Sequence, residues 1–242
     1  MSSRILIALV LIFGPFVQPL PAADERAFTQ GSHAYQSGDY ATAAKELGSP
    51  GKTSSGTLHN LGNAEFKLGH PGAAILAWER ALAILPTSKN TAANLRFARS
   101  QAGLVEPQYA WHERYSSLLS PGIWLTVACL TFWGAIALLA LPPLLKRRRS
   151  GWTQAAAVVA IGLFFLTIPA LTGLASRAHL GVVLVGDTEL RLTPTIEAEI
   201  LGKLPEGELA RLEKVRGGFV YIRAAGDRAG WVQRKEFEKI WP

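Results

Sequence analysis

Two uncharged stretches dominate this 242-residue sequence, residues 115–145 and 150–176, and only Lys146, Arg147, Arg148 and Arg149 stand between them. Each holds about 20 mostly apolar residues (123–141 and 155–175), the length at which a helix crosses the hydrocarbon core of a bilayer. The basic cluster is too short and too charged to be anything but a turn at a membrane surface. A buried hairpin in a soluble core fits poorly, because charge-free runs of this length exceed ordinary buried helices. The expected element is a transmembrane helical hairpin, with spans at 121–145 and 151–176 joined by a basic turn at 146–150. Neither span contains an ionisable residue, which argues against a proton or ion pathway.

Charge orients the hairpin. Short loops rich in Lys and Arg stay on the cytoplasmic side, and Lys146, Arg147, Arg148 and Arg149 form the one such loop. These four are the topology-determining residues, and the segments before and after the hairpin are expected on the opposite side. Residues 1–23 agree independently: Arg4, an apolar run broken by Gly14 and Pro15, and a small-residue exit before Asp24 read as a secretory signal peptide. Cleavage after Ala22 or Ala23 and retention as an uncleaved anchor both export the chain from Asp24 to the hairpin. The expected localisation is the bacterial inner membrane, two-pass, with both soluble domains periplasmic.

The formal net charge of +7 suggests a nucleic-acid binder until it is divided along the chain. Residues 24–110 carry +1, residues 180–242 are neutral, and residues 111–179 carry +5, most of it in the basic turn. Neither soluble part has the basic stripe that phosphate-backbone binding needs, so nucleic acid is not an expected partner. The lone cysteine, Cys129, sits in the first span, where it is expected to act as a small apolar packing residue.

Residues 24–105 read as helical and repetitive. Gly31, Tyr35, Gly38 and Ala43 recur as Gly62, Phe66, Gly69 and Ala74. Gly31 and Gly62 suit close helix packing, and Gly38 and Gly69 suit left-handed helix ends. Ile75, Trp78, Ala81, Leu82 and Leu85 then form an apolar stripe that stops at Pro86. Leu61, Gly62, Phe66, Gly69, Ala74, Trp78, Ala81, Leu82 and Pro86 resemble the tetratricopeptide repeat. The first copy departs from that pattern, because its second helix ends near Leu47 and its offset is 31 residues, against a family period of about 34. Residues 91–101 read as a capping helix. The resemblance implies a concave face lined by Phe28, Ser32, Tyr35, His59, Asn63 and Phe66, with Asn94 from the cap. Amide groups there can pair with a peptide backbone while rings cover its apolar side chains. Residues 106–120 are expected as a linker, with Trp111, Tyr115 and Trp124 as interfacial aromatics. In the second span, Ala156 and Ala160 form a small-residue pair able to pack on the first.

Beyond Arg177 the apolar period falls to two. Strands are expected at 182–185, 189–192, 200–204, 208–215, 219–223 and 229–232, separated by turn signals such as Gly186-Asp187 and Gly217-Gly218. Alternation of Val220 and Ile222 with Tyr221 and Arg223 predicts a small half-buried barrel over residues 180–242. Leu204-Pro205-Glu206-Gly207, the run from Gly217 to Arg223, and Gly230-Trp231-Val232 resemble the bacterial SH3 domain, whose members bind cell-wall peptides or protein segments. Phe219, Tyr221 and Trp231 are the candidate aromatic platform, although Trp231 serves equally well to close the barrel.

Enzymatic chemistry finds no foothold. The five histidines lack ligand spacing, no Gly-x-Ser-x-Gly elbow occurs, and Gly51-Lys52-Thr53 lacks the earlier glycine and strand of a phosphate loop. No metal or cofactor is expected. The fold class is therefore a multidomain membrane protein: α-helical tetratricopeptide-like repeats, a transmembrane hairpin and a small all-β SH3-like barrel. That architecture resembles the BatE-type proteins of the Bacteroides aerotolerance operons. The resemblance implies a non-enzymatic adaptor in an envelope-stress complex, with membrane-bound von Willebrand A-domain proteins and a MoxR-type ATPase as partners. The alternative is an envelope sensor whose SH3-like part binds peptidoglycan. In either case the hairpin is expected to tether two modules and so raise their effective concentration for a shared partner.

Overall fold

The computed structural model describes residues 22–49, 54–146, 148 and 150–241. Most of the expected signal peptide, the Gly51-Lys52-Thr53 segment, and Arg147 and Arg149 of the basic turn lie outside the described residues.

Five helices form the first unit: α1 (Ala22–Gln36), α2 (Tyr40–Leu47), α3 (Ser55–Lys67), α4 (Pro71–Ile84) and α5 (Lys89–Gln101). Local chemistry sets their ends. Asp39 and Ser54 accept from the Thr42 and Thr57 amides, each at 3.0 Å, and Pro71 opens α4, where a missing N–H costs nothing. Gly38 and Gly69 both adopt φ +82° after α1 and α3, the left-handed ends expected of them. A Cβ on Gly31 would lie 2.5 Å from Leu47, and one on Gly62 would lie 2.5 Å from Trp78. Both contacts repeat at an offset of 31 residues. Between α3 and α5 the offset becomes 34: Ser54, Thr57, Leu61 and Gly69 match Ser88, Thr91, Leu95 and Gly103, and Gly103 again has a positive φ of 64°. The shorter first interval reflects α2, which has 8 residues where α4 has 14.

The second unit is an antiparallel sheet of seven strands: β1 (Leu180–Val183), β2 (Thr188–Arg191), β3 (Ile200–Leu204), β4 (Leu209–Arg216), β5 (Phe219–Ala224), β6 (Ala229–Gln233) and β7 (Phe237–Lys239). Their order across the sheet is β3-β2-β6-β5-β4-β1-β7. Every strand sends a side chain into one buried cluster that includes Val183, Leu190, Leu204, Ala210, Ile222, Val232 and Phe237, so the sheet must curl around it. Six strands were legible from alternation. β7 was not, because Phe237-Glu238-Lys239 is short and presents a single buried side chain.

The two units are not tethered modules. Strand β1 is buried along its whole length, as its unalternating Leu-Gly-Val-Val sequence requires. Val183 faces the sheet's own cluster, while Leu180 and Val182 pack with Ile240 into a second cluster shared with Ile75, Leu76 and Trp78 of α4. Polar contacts frame this junction. Glu206 accepts from the Gly72 amide at 2.8 Å and so caps α4, whose preceding residue, His70, supplies no side-chain cap. Arg80 donates to the Lys239 and Ile240 carbonyls and pairs with Glu238 at 2.6 Å. Gly207, at φ +84°, stands so close to α4 that a Cβ would lie 2.5 Å from the Ile75 side chain. The helical unit and the sheet thus share one buried cluster framed by polar contacts.

Between the units in sequence lie α6 (Trp111–Ser116), α7 (Pro121–Leu144) and α8 (Gly151–Arg177). α7 and α8 pair as an apolar hairpin, with Phe132 and Phe164 rings 5.4 Å apart, and both are long and apolar enough to cross a membrane. The expected linker carries α6, which docks on α8 so closely that a Cβ on Gly173 would sit 2.1 Å from the His112 carbonyl. Three small-scale expectations are corrected. Trp124 is buried under α6 and donates to the Ser116 carbonyl at 3.0 Å, so it is not an interfacial anchor. Of the expected small-residue pair in α8, Ala156 is exposed and Ala160 half-buried, whereas Ala157, Ala170 and Gly173 are the small residues buried there. Cys129 lies on the exposed side of α7 instead of in the packing seam. One knot ties hairpin to sheet: the Arg211 guanidinium of β4 and the Ser176 hydroxyl of α8 both donate to Glu113 Oε1, at 2.6 and 2.7 Å. Burial opposes the Glu113 charge, but hydrogen bonds from Ser176, Arg211 and the Ala110 amide outweigh it and hold its carboxyl below the usual range.

Candidate functional site: an aromatic and amide groove

Helices α1, α3 and α5 lie side by side along one face of the helical unit, and their facing residues enclose a cleft of about 260 Å³. It is lined by Tyr35, Asn63, Phe66, Lys67, Trp78, Asn94 and Phe97. Tyr35, Asn63, Phe66 and Asn94 are thus brought together as expected from sequence. Lys67, Trp78 and Phe97 were not assigned to the site. Phe97 follows Asn94 by three residues, the spacing that places both on one helix face, so its position was readable. Its ring is 54% exposed and meets Phe66 edge-on at 6.0 Å. Phe66 in turn contacts Trp78 at 5.7 Å, which makes the groove floor continuous with the core shared with the sheet.

The amides are ordered by a polar chain. Asn63 Oδ1 accepts from Asn94 Nδ2 at 2.8 Å and from Trp78 Nε1 at 3.2 Å, so its Nδ2 points to His59 Nε2 at 3.2 Å. With Nε2 accepting, His59 is neutral and its Nδ1–H donates to Thr91 Oγ1 at 2.9 Å. Burial pushes the His59 pKa down, which favours that neutral form. The Asn94–Asn63 bond has a counterpart one copy earlier, where Asn60 Nδ2 donates to Ser32 Oγ at 3.3 Å. His59 and Asn63 are therefore held by the protein itself and fix the groove wall, while the Asn94 amide, Lys67 and the rings of Tyr35, Phe66 and Phe97 face the cleft.

Other candidates lie elsewhere. Phe28 is 38% exposed on α1, near Gly56, and does not line the cleft. On the sheet, Tyr221 and Trp231 are cross-strand partners whose rings meet at 5.4 Å, and Phe219 pairs with Gln233 one step along. Because Val220, Ile222 and Val232 point into the buried cluster, Phe219, Tyr221 and Trp231 share the opposite face, half-buried. Lys146 and Arg148 are exposed at the far end of the hairpin. Among the described residues no group of three His, Cys, Asp or Glu side chains is placed to hold a metal ion. In comparisons with known proteins, no protein-family model and no curated protein matches the chain.

Proposed function

We propose that the chain is a non-enzymatic inner-membrane adaptor whose tetratricopeptide-like groove holds an extended segment of a partner protein. The observation that carries this reading is the groove itself: three rings from the alternate helices α1, α3 and α5 beside an amide ladder whose geometry is fixed internally. Rings suit apolar side chains, the Asn94 amide suits a peptide backbone, and a preordered wall lowers the entropy lost on binding. The recurring 31- and 34-residue offsets support the repeat assignment, and the curled seven-stranded sheet supports the SH3-like one. The α7–α8 hairpin and its basic turn support a two-pass topology with both soluble units periplasmic. The resemblance to BatE-type proteins makes a von Willebrand A-domain membrane protein of an envelope-stress complex the first partner to test, with a MoxR-type ATPase acting in the same system.

A photo-crosslinking residue in place of Phe97, in native membranes, is expected to trap that partner, and Phe66→Ala is expected to abolish the adduct. A partner trapped equally well with Phe66→Ala would contradict the groove. A second reading rests on the Tyr221–Trp231 pair, which suits stacking on a sugar ring: peptidoglycan binding by an envelope sensor. Saturable retention of the detergent-solubilised chain on purified sacculi, lost in Trp231→Ala, favours the sensor. No retention favours the adaptor.

A further inference from the structure

A second cavity, of about 230 Å³, lies where the helical unit meets α6 and the end of α8. Leu82, Pro86 and Leu95 give it apolar walls, and Arg96, Arg114 and Arg177 stand around it. Its acidic groups are already matched. Glu79 is paired with Arg99 at 2.5 Å, both buried, and Glu113 with Arg211 at 2.6 Å. Among the described residues Arg96, Arg114 and Arg177 form no ion pair with a carboxylate. Among the described residues Arg96 and Arg114 donate through their Nε atoms alone, to the carbonyls of Ala92 at 3.3 Å and Tyr109 at 3.2 Å. Arg177 lies over the Tyr109 ring, 5.9 Å from its centroid. Three cations thus converge on one hollow with terminal N–H groups to spare.

Position decides what anion belongs there. Arg177 is the last residue of α8, and Ser117, which also lines the cavity, precedes the first residue of α7 by four. The cavity therefore sits at the hairpin end opposite Lys146 and Arg148, at head-group level when the hairpin lies in a bilayer. Apolar walls beside free guanidinium groups suit an amphiphile better than a hydrated inorganic ion. The volume falls short of the roughly 300–1,000 Å³ of a site enclosing a whole drug-sized ligand, so it suits a head group whose acyl chains stay in the bilayer. Guanidinium forks match phosphate oxygens in geometry as well as charge.

We propose that this cavity takes the phosphate-bearing head group of an anionic phospholipid from the adjoining leaflet. Arg96 and Arg114 donate to its oxygens, and Arg177 closes the remaining side. A head group bound there touches α5, α6 and α8 together, and so fixes the tilt of the soluble body, with its groove, against the membrane. The inference rests on the proposed membrane placement of the hairpin, not on what the groove binds.

Native mass spectrometry of the full chain in neutral detergent, titrated with phosphatidylglycerol, phosphatidylcholine or inorganic phosphate, tests it. Retention of phosphatidylglycerol over phosphatidylcholine is expected. Arg96→Gln with Arg114→Gln should weaken it about a hundredfold, about tenfold for each lost charge-assisted contact. Arg96→Lys with Arg114→Lys should recover part of the affinity, and Lys146→Gln with Arg148→Gln should leave this site unchanged. Where the double glutamine variant fails to fold, each single variant is expected to show a smaller loss in the same direction. Undiminished phosphatidylglycerol binding in the glutamine variants overturns the proposal. Arginine-dependent binding of inorganic phosphate without lipid binding overturns it too, by assigning the site to a free anion. Liposome flotation of each variant reports insertion separately, so a failed membrane placement is distinguishable from a failed site.

Discussion

Helices α4 and α7 are apolar on nearly every side, yet their surroundings are opposite. In α4, nine of 14 residues are buried, because α3, α5 and strand β1 cover it from different directions. In α7, three of 24 are buried, under α8, its main packing partner, and α6. A helix apolar all round needs either protein or hydrocarbon around it. The first helix therefore explains why the sheet docks where it does. The second, left uncovered with Leu130 52% and Trp133 52% exposed, is suited to lipid.

The sharpest way to break the α4 half of that comparison is Trp78→Ala. Trp78 is 2% exposed and belongs to the cluster shared by helices and sheet, so its loss should cost about 3–5 kcal/mol. Denaturant unfolding, followed by fluorescence and by proteolysis of the sheet, should show both units destabilised together. A sheet left at its original stability would show the units to be independent. The α7 half is addressed by Leu130→Arg. In hydrocarbon that change should cost roughly 2.5–3.5 kcal/mol, measurable as reduced insertion of α7 in a translocon assay, whereas in water it should cost almost nothing.

A smaller effect is expected at the edge of the α4 junction. Glu206→Ala removes the cap on the Gly72 amide and should lower stability by about 1 kcal/mol, with faster hydrogen exchange at Gly72. Exchange unchanged at Gly72 would mean that the cap is not formed in solution. The smallest effect concerns the groove wall resting on Trp78. The His59 pKa is lower in the folded chain than its ordinary 6.5, so below pH 6.5 the unfolded chain takes up the proton more readily. The stability given by the His59–Asn63 bond should thus be complete above that pH and fall as pH drops through the folded pKa. Stability measured against pH in the wild type and in His59→Gln should differ in slope there. Parallel curves would remove His59 from the network.

How much of this was legible depended on distance along the chain. The hairpin, the repeat glycines and six strands are readable from residues within one or two turns of each other. The groove was partly legible from the repeat, since Phe66 follows Tyr35 and Asn94 follows Asn63 by the same 31 residues. The α4–β1 junction was not, because Ile75 and Val182 are far apart in sequence and nothing local names a partner. The one hint was the missing alternation of Leu180-Gly181-Val182-Val183, which marks a strand covered on both faces. Glu113 was hidden for a similar reason: its hydrogen-bond partners Ser176 and Arg211 come 63 and 98 residues later in the chain, so its segment read as a linker.

Under the proposed two-pass topology, the parts of the chain before and after the hairpin form one body on one membrane face, and a crosslink tests this most directly. With Cys129 replaced by Ser, Arg80→Cys and Glu238→Cys place thiols where an ion pair of 2.6 Å now joins α4 to the residue before Lys239. A short bismaleimide added to intact membranes should link them within one chain, and an impermeant maleimide applied beforehand from a single side should block both. Labelling of the two thiols from opposite sides, without a link, would contradict it.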